Sequence, residues 1–135
     1  MSEPHHKGTW DGSGVADLLG WKIISEETGL VRAEFEAKEE FRNPKGSITG
    51  GILAAMLDLI ISAAVRASLQ ENQSPGGTLE MKVNFIGAAE PGTLSAEGRI
   101  VHAGRSIAFA EGTLTAPDGT LIATGSATMR LYTER

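Results

Sequence analysis

Polar and apolar positions alternate along most of this chain, and the alternation gives way in one place. Every residue from 52 to 65 except Asp58 and Ser62 is apolar. A run of that length with no two-residue period predicts a helix that is apolar on all sides and wrapped by other structure. Gly50-Gly51 opens it, and the Asn43-Pro44-Lys45-Gly46 loop precedes it, with Pro44 barring helix at Asn43. Its end is expected near Leu69.

On the N-terminal side, Val15, Leu18 and Leu19 fall at helical spacing between a candidate cap, Asp11 or Ser13, and a stop at Gly20, which predicts a short amphipathic helix. Residues 22–27 read as a strand turning at Thr28-Gly29. In 30–38, Val31, Ala33, Phe35 and Ala37 alternate with Arg32, Glu34, Glu36 and Lys38, the pattern of a half-solvated antiparallel strand. Residues 70–77 look like a polar Gly/Pro-rich connector. Four period-two segments follow, 78–86, 93–103, 106–115 and 121–132, and predict a meander whose last hairpin turns at Ala116-Pro117-Asp118-Gly119. One buried helix with about six antiparallel strands implies an α+β fold, a curved sheet around a central helix. Residues 1–9 are expected to be a flexible terminus and 10–135 a single domain.

Composition narrows the function. A net charge of −5 with scattered Lys and Arg argues against a nucleic-acid surface. The long apolar run is broken by Asp58 and Arg66, which argues against a membrane span. With no cysteine there is no disulfide framework, thiolate metal site or Cys nucleophile, and a cytoplasmic location is expected. His5-His6 lies in the polar terminus, and His102 falls in a strand pattern on the face of Ile100, so no metal site is expected. Gly-x-Ser-x-Gly, Gly-x-x-x-x-Gly-Lys and Gly-x-Gly-x-x-Gly motifs are all absent.

The remaining chemistry gathers on the helix. A carboxylate inside an apolar helix costs several kcal/mol unless it is paired or used; a structural cap or an Arg partner for Asp58 is one reading. Function is the other, because Ser62 lies one turn on, on the same face. Gly50 and Gly51 place unpaired amides and the positive end of the helix dipole where an oxyanion can form. Asn43 and Thr78 flank the helix in sequence. Such donors would favour a developing oxyanion, with a carboxylate close by on the same helix.

The pattern Asn43-x-x-Gly46-x-x-Thr49-Gly50-Gly51, then Asp58 and the later strands, resembles the hotdog-fold acyl-CoA thioesterases. It is most similar to the branch typified by PaaI of phenylacetic acid degradation and the Arthrobacter-type 4-hydroxybenzoyl-CoA thioesterase. That resemblance implies a hydrolase acting on a small aryl or aliphatic acyl-CoA. Asn43 would lie in the site, the Gly50 amide would polarise the carbonyl, Asp58 would be nucleophile or general base, and Ser62 or Thr78 would orient it or the water. Thr49 and Gly51 would border the substrate; Thr49 stands where the family usually has His. His102 to Ser106 resembles the turn that contacts the CoA nucleotide, with Gly104, Arg105 and Ser106 as substrate contacts. No cofactor is implied, since coenzyme A is part of the substrate. The implied assembly is a homo-oligomer with shared sites, a dimer and then a dimer of dimers, or homotetramer. Spacing supports the sharing, because eight residues of helix separate Gly50 from Asp58 by about 12 Å at ~1.5 Å per residue. A dehydratase of the same fold would need a catalytic His that this chain lacks. A non-catalytic acyl-CoA-binding domain is the alternative that Thr49 leaves open.

Overall fold

The structure, a computed structural model, describes residues 13–134. The expected flexible terminus, His5-His6 and the Asp11 cap lie outside them. Ser13 caps the first helix, α1 (Gly14–Leu18), its hydroxyl accepting from the Ala16 amide at 3.1 Å. Strands β1 (Lys22–Glu27) and β2 (Leu30–Ala37) form a hairpin through Gly29, whose φ of 72° suits glycine. After the central helix α2 (Gly50–Ala67) come β3 (Gln73–Phe85), β4 (Gly92–Ala103), β5 (Ile107–Thr115) and β6 (Leu121–Thr133). They build one antiparallel six-stranded sheet in the order β1-β2-β4-β5-β6-β3.

The order corrects the expected four-strand meander. Strands β4, β5 and β6 do run as one, but β2 and β5 occupy both edges of β4, so β3 pairs with β6 and becomes the outer strand. The supposed connector over 70–77 is also corrected, since β3 begins at Gln73 and runs through Pro75-Gly76-Gly77. An outer strand tolerates proline, and the pairing slips between Pro75 and Gly77. A second slip lies between Thr78 and Glu80, so Thr78 and Met81, three residues apart, both face the helix. In β4 a slip between Ile100 and His102 sets His102 opposite Phe109 on the outer face, away from its expected place beside Ile100.

Helix α2 packs across β4, β5 and β6 at a row of glycines. Gly98 pairs with Gly112 and Gly112 with Gly125. A Cβ on Gly98 would stand 2.2 Å from the Ile60 carbonyl oxygen, and one on Gly112 2.9 Å from Ile61 Cγ1. The row is a slot into which Ile60 and Ile61 settle. Met56, Leu57, Ile60, Ile61 and Val65 are fully buried on this side. By length and composition α2 could cross a bilayer, but most of it is enclosed by the sheet as the core helix.

The sheet wraps the helix as expected but does not enclose it on every side. Gly51 is exposed, and Ala54, Ala55 and Asp58 are only partly buried, so one stripe of the helix stays uncovered. A single sheet reaches only the side of a helix that faces it. Beside this stripe runs β3, whose second edge has no partner strand among the described residues and whose Leu79 and Phe85 are 57% and 56% exposed.

Candidate active site

The loop before α2 is built by Asn43. Its Oδ1 accepts from the amides of Lys45 (2.9 Å) and Ser47 (3.2 Å), its own amide donates to the Ser47 carbonyl at 2.7 Å, and Gly46 closes the turn at φ 94°. The buried side chains of Phe41 and Ile48 anchor the loop, with the Thr49 amide on the Phe41 carbonyl and the Ile48 amide on that of Ala89, both at 2.9 Å. Thr49 thereby becomes the N-cap, but its side chain caps nothing. Its carbonyl accepts from Ile52 and Leu53. The amides of Gly50 and Gly51 have no partner among the described residues. The Phe85 ring lies over Gly50, where a Cβ would meet Cζ at 3.2 Å, whereas Gly51 has open space. Asn43, Thr49, Gly50 and Gly51 thus form one group at the helix start.

Asp58 belongs to a second group. The Thr78 hydroxyl donates to its Oδ1 at 2.8 Å, leaving Oδ2 free of this bond. Asp58 is half-buried on the uncovered stripe, and Ser62, one turn on, is buried at 5% exposure. The hydroxyl that meets the carboxylate is that of Thr78.

The third group lies at the far end of the helix. Gly104, Arg105 and Ser106 form the β4–β5 turn, and the first two line a cavity of about 510 Å³ together with Ser68, Gln70, Asn72 and Gln73. All three turn carbonyls are engaged inward: Gly104 by Gln73 Nε2 (3.0 Å), Arg105 by the Thr133 hydroxyl, and Ser106 by the Leu131 amide (2.8 Å). The Arg105 side chain is exposed.

Within one chain these groups do not meet. Gly50 and Asp58 are about 12 Å apart along the axis, and Asp58 and Ser68 about 15 Å at ~1.5 Å per residue. Sequence reasoning missed Gln73, hidden in what looked like a connector, and the contact of Phe85 with Gly50. Phe85 was legible only as apolar. The arrangement offers two free amides at the positive end of a helix, a hydroxyl-bonded carboxylate on an open stripe and an arginine-bearing turn.

Comparison with known proteins gives these features relatives. The family model described as thioesterase superfamily matches residues 45–123. A solved phenylacetic acid degradation-related protein from Ralstonia eutropha JMP134 is similar at 33% identity and a TM-score of 0.81, over 87% of this chain and 89% of that one. Acyl-coenzyme A thioesterase 13 of Homo sapiens is 29% identical over 111 residues, 81% of this chain and 78% of the relative. A Streptococcus mutans UA159 protein solved bound to acetyl-CoA shares 25% identity with a TM-score of 0.77, over 85% of this chain and 90% of that one.

Proposed function

We propose, from the premise that this chain belongs to the thioesterase superfamily and is a thioester hydrolase of the hotdog fold, that it hydrolyses a small aryl or aliphatic acyl-CoA to the free acid and coenzyme A. The observation that carries the reading is the helix itself, with unpartnered Gly50 and Gly51 amides at its start and a Thr78-bonded Asp58 on its open stripe.

In this reading the Gly50 amide, with Gly51 beside it, donates to the thioester oxygen as negative charge grows there. Asp58 Oδ2 either attacks the carbonyl carbon, expelling the CoA thiolate and leaving a mixed anhydride that water then hydrolyses, or takes a proton from a water that attacks in its place. In both the C–S bond breaks, and the sulfur leaves as coenzyme A with a proton that comes from water. Thr78 holds Asp58 through Oδ1. Asn43 shapes the entrance loop, Thr49 and Gly51 border the acyl group, and Ser62 backs Asp58. The turn of Gly104, Arg105 and Ser106 receives a CoA phosphate. No cofactor takes part. The half-exposed Phe85 ring beside Gly50 offers an apolar surface to a small aryl or aliphatic acyl group, in keeping with the phenylacetic acid context of the Ralstonia relative.

The site is shared between two copies. The 12 Å between Gly50 and Asp58, the uncovered stripe and the unpaired 13-residue edge of β3 support a dimer that sets Gly50 of one chain beside Asp58 of the other. Val101 and Phe109, 62% and 45% exposed on the sheet's outer face, support further pairing as a dimer of dimers. The protein works in the cytoplasm, without nucleic acid or membrane.

The test is turnover of an acyl-CoA panel read by a free-thiol reagent, followed by complementation. Asp58→Asn chains are mixed with Gly50→Val chains, whose new side chain runs into Phe85, each inactive alone. Dissociated and reassociated, a mixed dimer carries one site with both lesions and one with neither, so activity returns. Mixed dimers that form and stay inactive refute the shared site, and a parent that binds acyl-CoA without turnover refutes hydrolysis.

A further inference from the structure

We infer that Gln73 is a positioning residue for coenzyme A, holding the β4–β5 turn in the conformation that presents its amides to a phosphate. The inference rests on the proposed CoA reading and goes beyond it by naming what shapes the turn. Gln73 is, with Ser62, one of two buried polar side chains among the described residues, at 8% exposure. Its hydrogen-bonding groups are all used. Nε2 donates to the Gly104 carbonyl at 3.0 Å and the Thr133 hydroxyl at 3.1 Å, while Oε1 accepts from the Gln70 amide at 3.1 Å. The Thr133 hydroxyl in turn donates to the Arg105 carbonyl.

The consequence follows from peptide geometry. In a trans peptide the C=O of one residue and the N–H of the next point in opposite directions. Gln73 draws the Gly104 carbonyl inward, so the Arg105 amide faces out, and Thr133 does the same for the Ser106 amide. Neither amide has a partner among the described residues. Two successive unpartnered N–H groups on a turn that also carries an exposed arginine suit an anion. Gln73 touches no phosphate itself. It acts by fixing two carbonyls from behind.

The experiment measures binding of coenzyme A and of pantetheine, which lacks the nucleotide and its phosphates, by titration calorimetry, together with KM and kcat for one acyl-CoA. The variants are Gln73→Met, Gln73→Glu, Thr133→Val and Arg105→Ala. Gln73→Glu keeps the size and the Gln70 contact but removes both donors, so it should resemble Gln73→Met. Each is expected to weaken coenzyme A about tenfold, to leave pantetheine within twofold, and to raise KM with kcat little changed. Thr133→Val, on the accessible side of the same network, should follow if Gln73→Met folds poorly. Equal losses for coenzyme A and pantetheine would mark a general structural role and overturn the inference. So would parent-like coenzyme A affinity in the Gln73 and Thr133 variants while Arg105→Ala is weakened. If Arg105→Ala also binds like the parent, the assignment of the turn to CoA has failed, and the role of Gln73 with it.

Discussion

Replacing the three slot glycines one at a time by alanine gives a graded perturbation whose order is set by the coordinates. At Gly98 the new methyl would lie 2.2 Å from the Ile60 carbonyl oxygen and 2.9 Å from its carbon, both backbone atoms that no rotamer change can move. Ordinary contact needs the helix to lift there by about 1 Å. Overpacking against a rigid neighbour costs roughly 1–3 kcal/mol or more, and the lower unfolded-state entropy of alanine offsets only about 0.4–1 kcal/mol. Because the clash is with backbone, the cost lies at the top of that range, and Gly98→Ala should lose about 2 kcal/mol net. At Gly112 the nearest atoms are Ile61 Cγ1 at 2.9 Å and Ile60 Cγ2 at 3.1 Å, side-chain atoms that can yield, so about 1 kcal/mol is expected. At Gly125 the contacts begin at 3.4 Å, and the change should be neutral or slightly stabilising. Since each kcal/mol moves Tm by roughly 2–8 °C at this size, Gly98→Ala should fall on the order of 10 °C while Gly125→Ala stays near the parent. Unfolding followed by tryptophan fluorescence at fixed protein concentration reads the series. A Gly125→Ala variant as unstable as Gly98→Ala, or three neutral variants, would refute the slot.

Asp58→Asn should fold with a Tm no lower than the parent's and lose hydrolysis by several orders of magnitude; near-parent turnover would place the chemistry elsewhere, and a marked fall in Tm would make Asp58 structural. Thr78→Val removes the 2.8 Å donor to Asp58 and, allowing for its exposure, should lower kcat about tenfold with KM little moved; a change confined to KM would contradict its role. Arg105→Ala should raise KM for an acyl-CoA more than it lowers kcat, since a remote phosphate contact gives mainly uniform binding, and an unchanged KM at low salt would count against it. The Thr120 hydroxyl, and then its amide, hold the exposed Asp118 carboxyl below the ordinary Asp range. That lowered value means the Asp118 contribution to stability is complete above about pH 4 and is lost as pH falls through the folded-state value. Acid unfolding of Asp118→Asn should lack this part of the slope, and an unchanged acid limb would show the turn contacts to be without consequence.

What could be read without coordinates was whatever depends on local periodicity. The long helix, the 30–38 alternation and the Pro-Asp-Gly hairpin all follow from spacing and turn chemistry, and the observed elements lie within a few residues of those expected. What could not be read depends on pairing between distant segments. Nothing in 78–86 says that β3 passes by β4 to reach β6, because the reason lies in β2 and β5 having taken both edges of β4. Strand slips are equally silent, as at Ile100 and His102, where one extra residue moved a histidine to the other face. At the candidate site, glycines at a helix start and a carboxylate in an apolar run stand out by type. Gln73 does not, because a glutamine beside Ser74-Pro75-Gly76-Gly77 looks solvated until its three partners are known.

One strand touches all three groups. Gln73 at the start of β3 holds the turn, Thr78 in its middle holds Asp58, and Phe85 at its end lies on Gly50. β3 is also one of the sheet's two edge strands, paired among the described residues with β6 alone. The strand therefore works like a common rail with three fittings, and slack in the rail loosens all of them together. With two copies paired along that edge, as proposed, dilution that separates them would deprive an intact chain of its competence with every functional side chain still present. In the proposed dimer, assembly and hydrolysis would then be one variable, and concentration would act as a control.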